Sequence, residues 1–144
     1  MNKRGVTLVE LIVVFVVIAI GATLMVPGFT RWMPKYRLRS ATRDIVSTMR
    51  AAQLRAVANS FDYQVVFTPA VGTYILQRNS GGLSTNDGIA QTVPAGITFA
   101  TTFPGNTVVF NSNSTATPGS VTVSKPPDQR TIRVLSSNGR VSAQ

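Results

Sequence analysis

A run of twenty residues without a charged side chain, from position 11 to position 30, most constrains what this chain of 144 residues can fold into. Fifteen of the twenty are apolar. As an α-helix the run would be about 30 Å long, which is close to the thickness of a bilayer's hydrocarbon layer. Its many β-branched residues do not oppose a helix, because lipid offers backbone amides no other partner. We therefore predict one membrane-spanning segment.

Two other interpretations of the apolar run are open. Lys3 and Arg4 precede it, and Ala19 and Ala22 are small enough for the cleavage site of a secretory signal. Glu10 at the start of the run and a helical pattern directly after it argue against such a signal. The run could also be a buried helix of a soluble domain, but few residues remain to surround a segment that is apolar on every side.

From position 31 to position 60 the apolar residues recur at intervals of three and four, which predicts an amphipathic helix ending near Asn59 and Ser60. Pro34 is expected to kink this helix or to mark the start of its second part. With the apolar run it would form one long, bent helix. The apolar stripe that the spacing predicts consists of Leu38, Ala41, Ile45, Met49, Ala52 and Ala56.

Beyond position 61 short runs of β-forming residues alternate with polar turns, which predicts an antiparallel β head and an α+β fold. The predicted strands are 63–68, 73–78, 97–103, 107–111, 120–124, 130–135 and 140–142. Asn138-Gly139 is a strong hairpin signal, and the polar segments 79–88 and 111–119 are expected to be exposed loops. The sheet should pack on the helical stripe, because neither element can bury its apolar face alone.

The composition excludes several kinds of chemistry. Histidine and cysteine are both absent, so the chain has no imidazole base, no thiolate nucleophile, no disulfide and no zinc site of the usual kind. Asp44, Asp62, Asp87 and Asp128 are isolated in the sequence, and no glycine-rich phosphate loop precedes a helix. We therefore expect a protein that is not an enzyme and that uses no cofactor or metal.

Basic residues are in excess, with 14 Lys and Arg against 5 Asp and Glu. Seven of the cations lie between positions 31 and 55, among them Arg39, Arg43 and Arg50, which fall on one side of the predicted helix. This surface is either a solvated face, a contact with anionic lipid headgroups, or a contact with neighbouring subunits or DNA.

The residues that point most directly to a function are Lys3-Arg4-Gly5-Val6-Thr7-Leu8-Val9-Glu10. A carboxylate at a membrane segment is costly unless it lies at headgroup depth or a cation compensates it. Glu10 follows Val6 by four residues, so a new amino terminus at Val6 would place a cation within one helical turn of the acid. In an assembly, the amine of one subunit could instead neutralise the acid of its neighbour.

This start closely resembles the class III signal of type IV pilins and pseudopilins. The resemblance implies that a prepilin peptidase cuts between Gly5 and Val6, and that the new amino terminus at Val6 is methylated. Glu10 and Pro27 would then be the fifth and twenty-second residues of the mature chain, positions that the family uses in assembly. Val6 departs from the family, which usually has phenylalanine there. The implied organisation is a leader at 1–5, a filament-core helix at 6–30, an amphipathic helix at 31–60 and a β head at 61–144.

The remainder of the chain resembles the H-type pseudopilins and the FimT-like minor pilins, through its arginine- and alanine-rich helix and its terminal hairpin. The resemblance implies a structural minor subunit of a type IV pilus or a type II secretion pseudopilus, with a major shaft pilin as the alternative. The implied partners are the prepilin peptidase, other pilin subunits, the inner-membrane assembly platform and membrane lipid. It also implies a periplasmic head, although the positive charges counted around the span favour the opposite orientation.

A DNA-binding role is a further alternative. The Gly139-Arg140 turn resembles part of a Gly-Arg-x-Arg element that some FimT-like proteins use in DNA uptake, but Ser142 stands where the later arginine would be. Such a role would use Arg130, Arg133 and Arg140 near the end of the chain, and its affinity would fall steeply with salt.

Overall fold

The computed structural model of the chain describes residues 7–144, leaving out the side chains of residues 24–32 and of Pro34. It divides into two compact units, Met1–Lys35 and Tyr36–Gln144. The helix α1 (Leu8–Asn59) contributes residues to both. The backbone at Pro34 is helical, and α1 runs through this position, so the predicted long helix forms. The kink expected at Pro34 stays a prediction.

In the first unit, α1 exposes apolar side chains on every side. The large apolar residues of its first four turns, from Leu8 to Ile20, are between 50% and 75% exposed. Successive residues of an α-helix are about 100° apart, so an uninterrupted run of exposed apolar residues covers the whole circumference. Within the described residues, no helix has the length and apolarity that a membrane span requires.

In the second unit, α1 buries the predicted stripe. All six residues of the stripe, from Leu38 to Ala56, are at most 3% exposed, which confirms the prediction. Two buried threonines widen the stripe, and each satisfies its hydroxyl within the helix. Thr42 Oγ1 donates to the carbonyl of Leu38 at 2.7 Å, and Thr48 Oγ1 donates to the carbonyl of Asp44 at 3.0 Å. A polar side chain can therefore lie at the edge of the core at little cost.

The head contains nine strands and a short 3₁₀ turn at Pro104–Asn106. The strands are β1 (Asp62–Thr68), β2 (Thr73–Ser80), β3 (Leu83–Asn86), β4 (Gln91–Thr92), β5 (Thr98–Thr101), β6 (Thr107–Phe110), β7 (Gly119–Lys125), β8 (Asp128–Val134) and β9 (Val141–Ala143). They form two antiparallel sheets. One has the order β3-β2-β1-β6, with β4 also paired to β2, and the other has the order β5-β7-β8-β9.

All seven predicted strands occur, with ends that differ from the prediction by at most two residues. The prediction of a loop over 79–88 is wrong, because β2 continues to Ser80 and β3 follows it. Strand β3 is fully exposed, so no buried apolar alternation marks it in the sequence. It pairs with β2, and Gln77 Nε2 donates to Asn86 Oδ1 at 2.9 Å across the two strands. In the segment 111–119 the exposed loop contains one buried residue, Ala116, which bridges to Phe110.

One core joins both sheets to the helical stripe. The strands alternate between buried apolar and more exposed residues, so each sheet has one inner face. The largest side chains that solvent does not reach come from all three layers: Ile45 and Met49 from α1, Val65 and Phe110 from the first sheet, and Val121 and Ile132 from the second. The expected packing of the β head on the stripe is confirmed, with two sheets rather than one sharing the contact.

Candidate functional site

Glu10 lies in the first turn of α1, and its side chain is exposed. Thr7 caps this end of the helix. The backbone N–H of Glu10 donates to Oγ1 of Thr7 at 3.3 Å, and the N–H of Leu11 donates to the carbonyl of Thr7 at 3.2 Å. A glutamate three residues after a capping threonine has the spacing of a capping box, and the helix dipole also favours an acid there. This Thr-x-x-Glu spacing is visible in the sequence, and the structure shows the half of the capping box in which the Thr7 hydroxyl accepts from the backbone of Glu10.

The positions of the other residues predicted for cleavage and assembly, relative to Glu10, are not described by the structure. Gly5 and Val6 lie outside the described residues, and so does the side chain of Pro27. The cleavage site, the methylated amine and the role of the proline therefore stay predictions.

The structure separates the three arginines predicted near the end of the chain. In β8 the side chains of Ile132 and Val134 are buried, and that of Arg130 is half-buried. Because alternate residues of a strand face the same side, Arg130 lies on the inner face with them. Arg133 is exposed on the opposite face. Arg140 is exposed in the turn between β8 and β9. These three cations do not form one surface.

The turn that contains Arg140 is hydrogen-bonded to α1. Gln53 Nε2 donates to the carbonyl of Asn138 at 2.9 Å. Gly139 has a φ of 61°, and a Cβ added there would lie 3.1 Å from Gln53 Nε2 and 3.2 Å from the carbonyl oxygen of Ser114. A left-handed conformation and a close approach thus both require glycine at this position. The presence of glycine in the Gly139-Arg140 turn is therefore explained by the fold, without any contact to nucleic acid.

Arg130 instead faces the cations of the helix. At about 100° per residue, Arg39, Arg43 and Arg50 fall within about 40° of one another and form a row along α1. A groove of about 470 Å³ lies between this row and the β8–β9 edge of the second sheet. It is lined by Arg39, Thr42, Arg43, Val46, Arg50, Arg130 and Ala143, and we call it the arginine groove. The sequence indicates the row on the helix, but only the fold adds Arg130 to it.

A second, smaller groove of about 320 Å³ lies on the other flank of α1, against β2 and the segment 87–91. There Arg55 Nη1 lies 2.7 Å from Asp87 Oδ2, and both side chains are well exposed to water. An exposed ion pair of this kind contributes at most about 1 kcal/mol. At the floor of the groove the hydroxyl of Tyr74 donates to Oε1 of Gln91 at 2.8 Å.

Tyr74 gives this flank a measurable pH dependence. Burial, helped by the negative charge of Asp44 and opposed by a hydrogen bond with Thr48, raises the pKa of the Tyr74 phenol from 10.0 to about 12. The folded state therefore favours the neutral phenol. Its contribution to stability is fully present below pH 10 and is lost as the pH rises through 12.

Tyr74→Phe is therefore expected to make the fold less sensitive to alkali. Between pH 9 and pH 12 the wild-type chain should lose about 2 to 3 kcal/mol more of its free energy of unfolding than the variant. Chemical denaturation of the purified full-length chain, followed by circular dichroism, measures both. Tyr36→Phe is the matched control, because it removes the same hydroxyl from a tyrosine that is 67% exposed. Parallel losses in wild type and Tyr74→Phe would contradict the assignment.

Two acidic residues of the head, Asp62 and Asp87, have structural partners. Asp62 Oδ1 accepts a hydrogen bond from the backbone N–H of Ser112 at 2.9 Å, and Asp87 pairs with Arg55. Within residues 7–144, no group of three acidic side chains is placed to hold a metal ion. The arginine groove, by contrast, brings four cations together: Arg39, Arg43, Arg50 and Arg130.

Comparisons with known proteins agree with this architecture. Residues 1–26 match the family model described as the prokaryotic N-terminal methylation motif, and residues 41–139 match that of the type II transport protein GspH. No curated protein sequence matches the chain.

Two kinds of solved structure share the fold. The minor pseudopilin EpsH from the type 2 secretion system of Vibrio cholerae superposes with a TM-score of 0.64 at 9% identity, covering 74% of this chain and 94% of that one. The type IV minor pilin FimU of Pseudomonas aeruginosa superposes with a TM-score of 0.64 at 14% identity, covering 76% and 90%. At such identities the likeness concerns the fold alone.

Proposed function

Since this chain belongs to the GspH family of type II transport proteins, whose members are structural pilin-like subunits, we propose that it is a processed minor subunit of a type II secretion pseudopilus or a type IV pilus. The observation that carries the proposal is the first unit of α1. Its apolar side chains from Leu8 to Ile20 are exposed on every side, and they lie within residues 1–26, which match the methylation motif. A helix of this kind needs lipid or other helices to cover it.

Processing is the first step of the proposal. A prepilin peptidase cuts between Gly5 and Val6, and the amine of Val6 is then methylated. The match of residues 1–26 to the methylation motif supports this step. So does the capped helix start at Thr7, because cleavage after Gly5 would leave the new amine one residue before the cap and within a helical turn of Glu10.

Assembly is the second step. The apolar helix first holds the subunit in the inner membrane with the head in the periplasm. The inner-membrane assembly platform then extracts it, and helix packing replaces contact with lipid in the filament core. Glu10 sets the register by pairing with the amine of a neighbouring subunit. The exposed apolar circumference of α1 from Leu8 to Ile20 supports this exchange, because such a surface packs equally well on lipid chains and on other helices.

Net charge favours a minor subunit over the shaft pilin. Removing residues 1–5 takes away Lys3 and Arg4 and leaves 12 cations and 5 acids, so the mature side chains sum to +7. A shaft made only of this subunit would repeat this net positive charge in every subunit, and the mutual repulsion would oppose assembly. As a minor subunit, the chain would instead contact other subunits that carry a different net charge, so the repulsion would be smaller.

Isolation of the chain from filaments tests the proposal. Mass spectrometry of the protein recovered from membranes and from sheared filaments is expected to show an amino terminus at Val6, with a methyl group added. Gly5→Ile should block cleavage, so this variant should keep Met1, stay in the membrane and be missing from the filaments. The copy number should be far below that of the major subunit. A filament protein that still began with Met1 would overturn the proposal.

A further inference from the structure

The arginine groove concentrates positive charge along one side of the head. Arg39 and Arg50 are eleven residues apart on α1, so the row is about 16 Å long. Half-buried Arg130 faces the row from β8, across a groove of about 470 Å³. These four like charges repel one another across the groove.

The acidic side chains of this chain lie outside the arginine groove, including that of Asp128, which is two residues from Arg130 in β8 but is not among the lining residues. All five acidic residues lie within the described part of the structure, and none of them lines the groove. Asp62 and Asp87 are bonded elsewhere in the head, and Asp44 lies on the opposite flank of α1, where its charge acts on Tyr74. An anion from outside the chain would remove the repulsion, because each guanidinium group can bind a carboxylate through two parallel hydrogen bonds.

The surroundings of the groove favour a protein as the source of that anion. The face of α1 that carries the row also exposes apolar side chains: Tyr36 is 67% exposed, Leu54 71% and Val57 49%. By helical angle these three lie within about 60° of the row. Arginine and aromatic residues are enriched in protein interfaces, where lysine is depleted, and all four cations here are arginines. A nucleic-acid backbone would neutralise the arginines but would leave these apolar side chains uncovered.

We propose that the arginine groove and the adjoining face of α1 bind an acidic segment of a different subunit in the same filament. The segment would present carboxylates to the four arginines and apolar residues to Leu54 and Val57. A second copy of this chain fits poorly, because its mature side chains sum to +7. This inference rests on the proposed function, since it assigns a partner to an assembled subunit.

A designed peptide tests the groove directly. The probe is a fluorescent helical peptide with four glutamates on one face and leucines beside them, and its matched control has glutamine in place of each glutamate. The full-length chain in detergent, at physiological salt, should bind the glutamate peptide and not the glutamine peptide. The double variant Arg43→Glu/Arg50→Glu should bind it at least about tenfold more weakly.

The matched double variant is Arg133→Glu/Arg140→Glu, which reverses the same number of charges away from the groove. It should change the affinity by less than about threefold, because neither side chain lines the groove and salt screens exposed charges. An equal loss in both double variants would show a net-charge effect and overturn the inference. Tighter binding of a 20-base-pair DNA duplex or of anionic lipid vesicles at Arg43 and Arg50 would also overturn it, in favour of a phosphate-binding site.

Labelling in filaments separates this inference from the proposed function. Because the chain contains no cysteine, Arg43→Cys and Arg133→Cys each introduce a single reactive thiol. In sheared filaments the thiol of Arg43→Cys should be protected from a maleimide reagent, or the variant should be left out of the filament, while Arg133→Cys should incorporate and be labelled. If wild type is present in filaments and both thiols react equally, the docking inference alone fails. If wild type is missing from filaments, the proposed function fails.

Discussion

Glu10→Ala is expected to leave the chain abundant in the membrane and to lower its incorporation into filaments by at least about tenfold. In the proposed assembly, the carboxylate of Glu10 pairs with the amino terminus of a neighbouring subunit inside a bundle of apolar helices. Breaking an ion pair in such surroundings leaves the other charge uncompensated, at a cost of about 3 to 5 kcal/mol. In the membrane no neighbouring subunit's amine depends on Glu10 for its neutralisation, so the unassembled pool should persist.

Two further variants separate the pairing role of Glu10 from its position in the capped first turn. Glu10→Gln keeps the spacing of the capping box and removes the charge, so it should fail to incorporate as Glu10→Ala does. Thr7→Ala removes the hydroxyl that caps the helix, which costs about 1 kcal/mol, but it keeps the charge and should incorporate well.

Quantitative immunoblotting of membranes and sheared filaments measures both pools for each variant. Full incorporation of Glu10→Gln would show that charge is not required at this position. If Thr7→Ala incorporated as poorly as Glu10→Ala, the loss would be caused by a destabilised first turn of the helix instead. In either case the pairing mechanism would have to be abandoned.

Ile45→Ala is expected to lower the free energy of unfolding of the head by about 3 to 4 kcal/mol. Ile45 is 0% exposed and lies in the core with both sheets, so its truncation removes buried apolar surface and leaves a cavity. Domains of this size are stable by about 5 to 15 kcal/mol, so the loss would be a large part of the total.

Leu54→Ala is the matched control for this effect. It truncates a residue of similar size on the same helix, but Leu54 is 71% exposed, and its loss should change stability by less than about 0.5 kcal/mol. Urea denaturation of both variants in the full-length chain measures the difference. A cost below about 1 kcal/mol for Ile45→Ala would mean that the helix does not pack on the sheets as described.

Much of the head could be predicted from periodicity, because its core is apolar and regular. The spacing from Leu38 to Ala56 predicts the buried stripe, and alternation predicts the seven strands with a buried face. Strands β3 and β4 carry no such alternation, because all their residues are exposed. They are held at the edge of β2 by backbone pairing and, in β3, by the amide contact of Asn86 with Gln77, and such contacts leave no hydrophobic period in the sequence.

The candidate site divides in the same way. Gly5, Val6 and Glu10 lie within six positions of one another, so the sequence alone predicts this part of the site. Arg130 and Arg133 are three residues apart, but the strand places them on opposite faces because side chains alternate along it. The partners of Arg130 across the groove are some eighty or ninety residues away in the chain, so no local pattern joins them to it.

By itself the sequence determined the elements whose cause is local: an apolar helix with an acid near its start, an amphipathic helix with one buried stripe, and strands that alternate. Only the tertiary structure decided which elements pack against one another and which side chains meet where they do. The division into two sheets, the position of Gly139 against Gln53 and the meeting of Arg130 with the helical arginines all depend on how α1 packs on the strands of the head. The reason is physical: periodicity records which face of an element is buried, but not which distant element covers it.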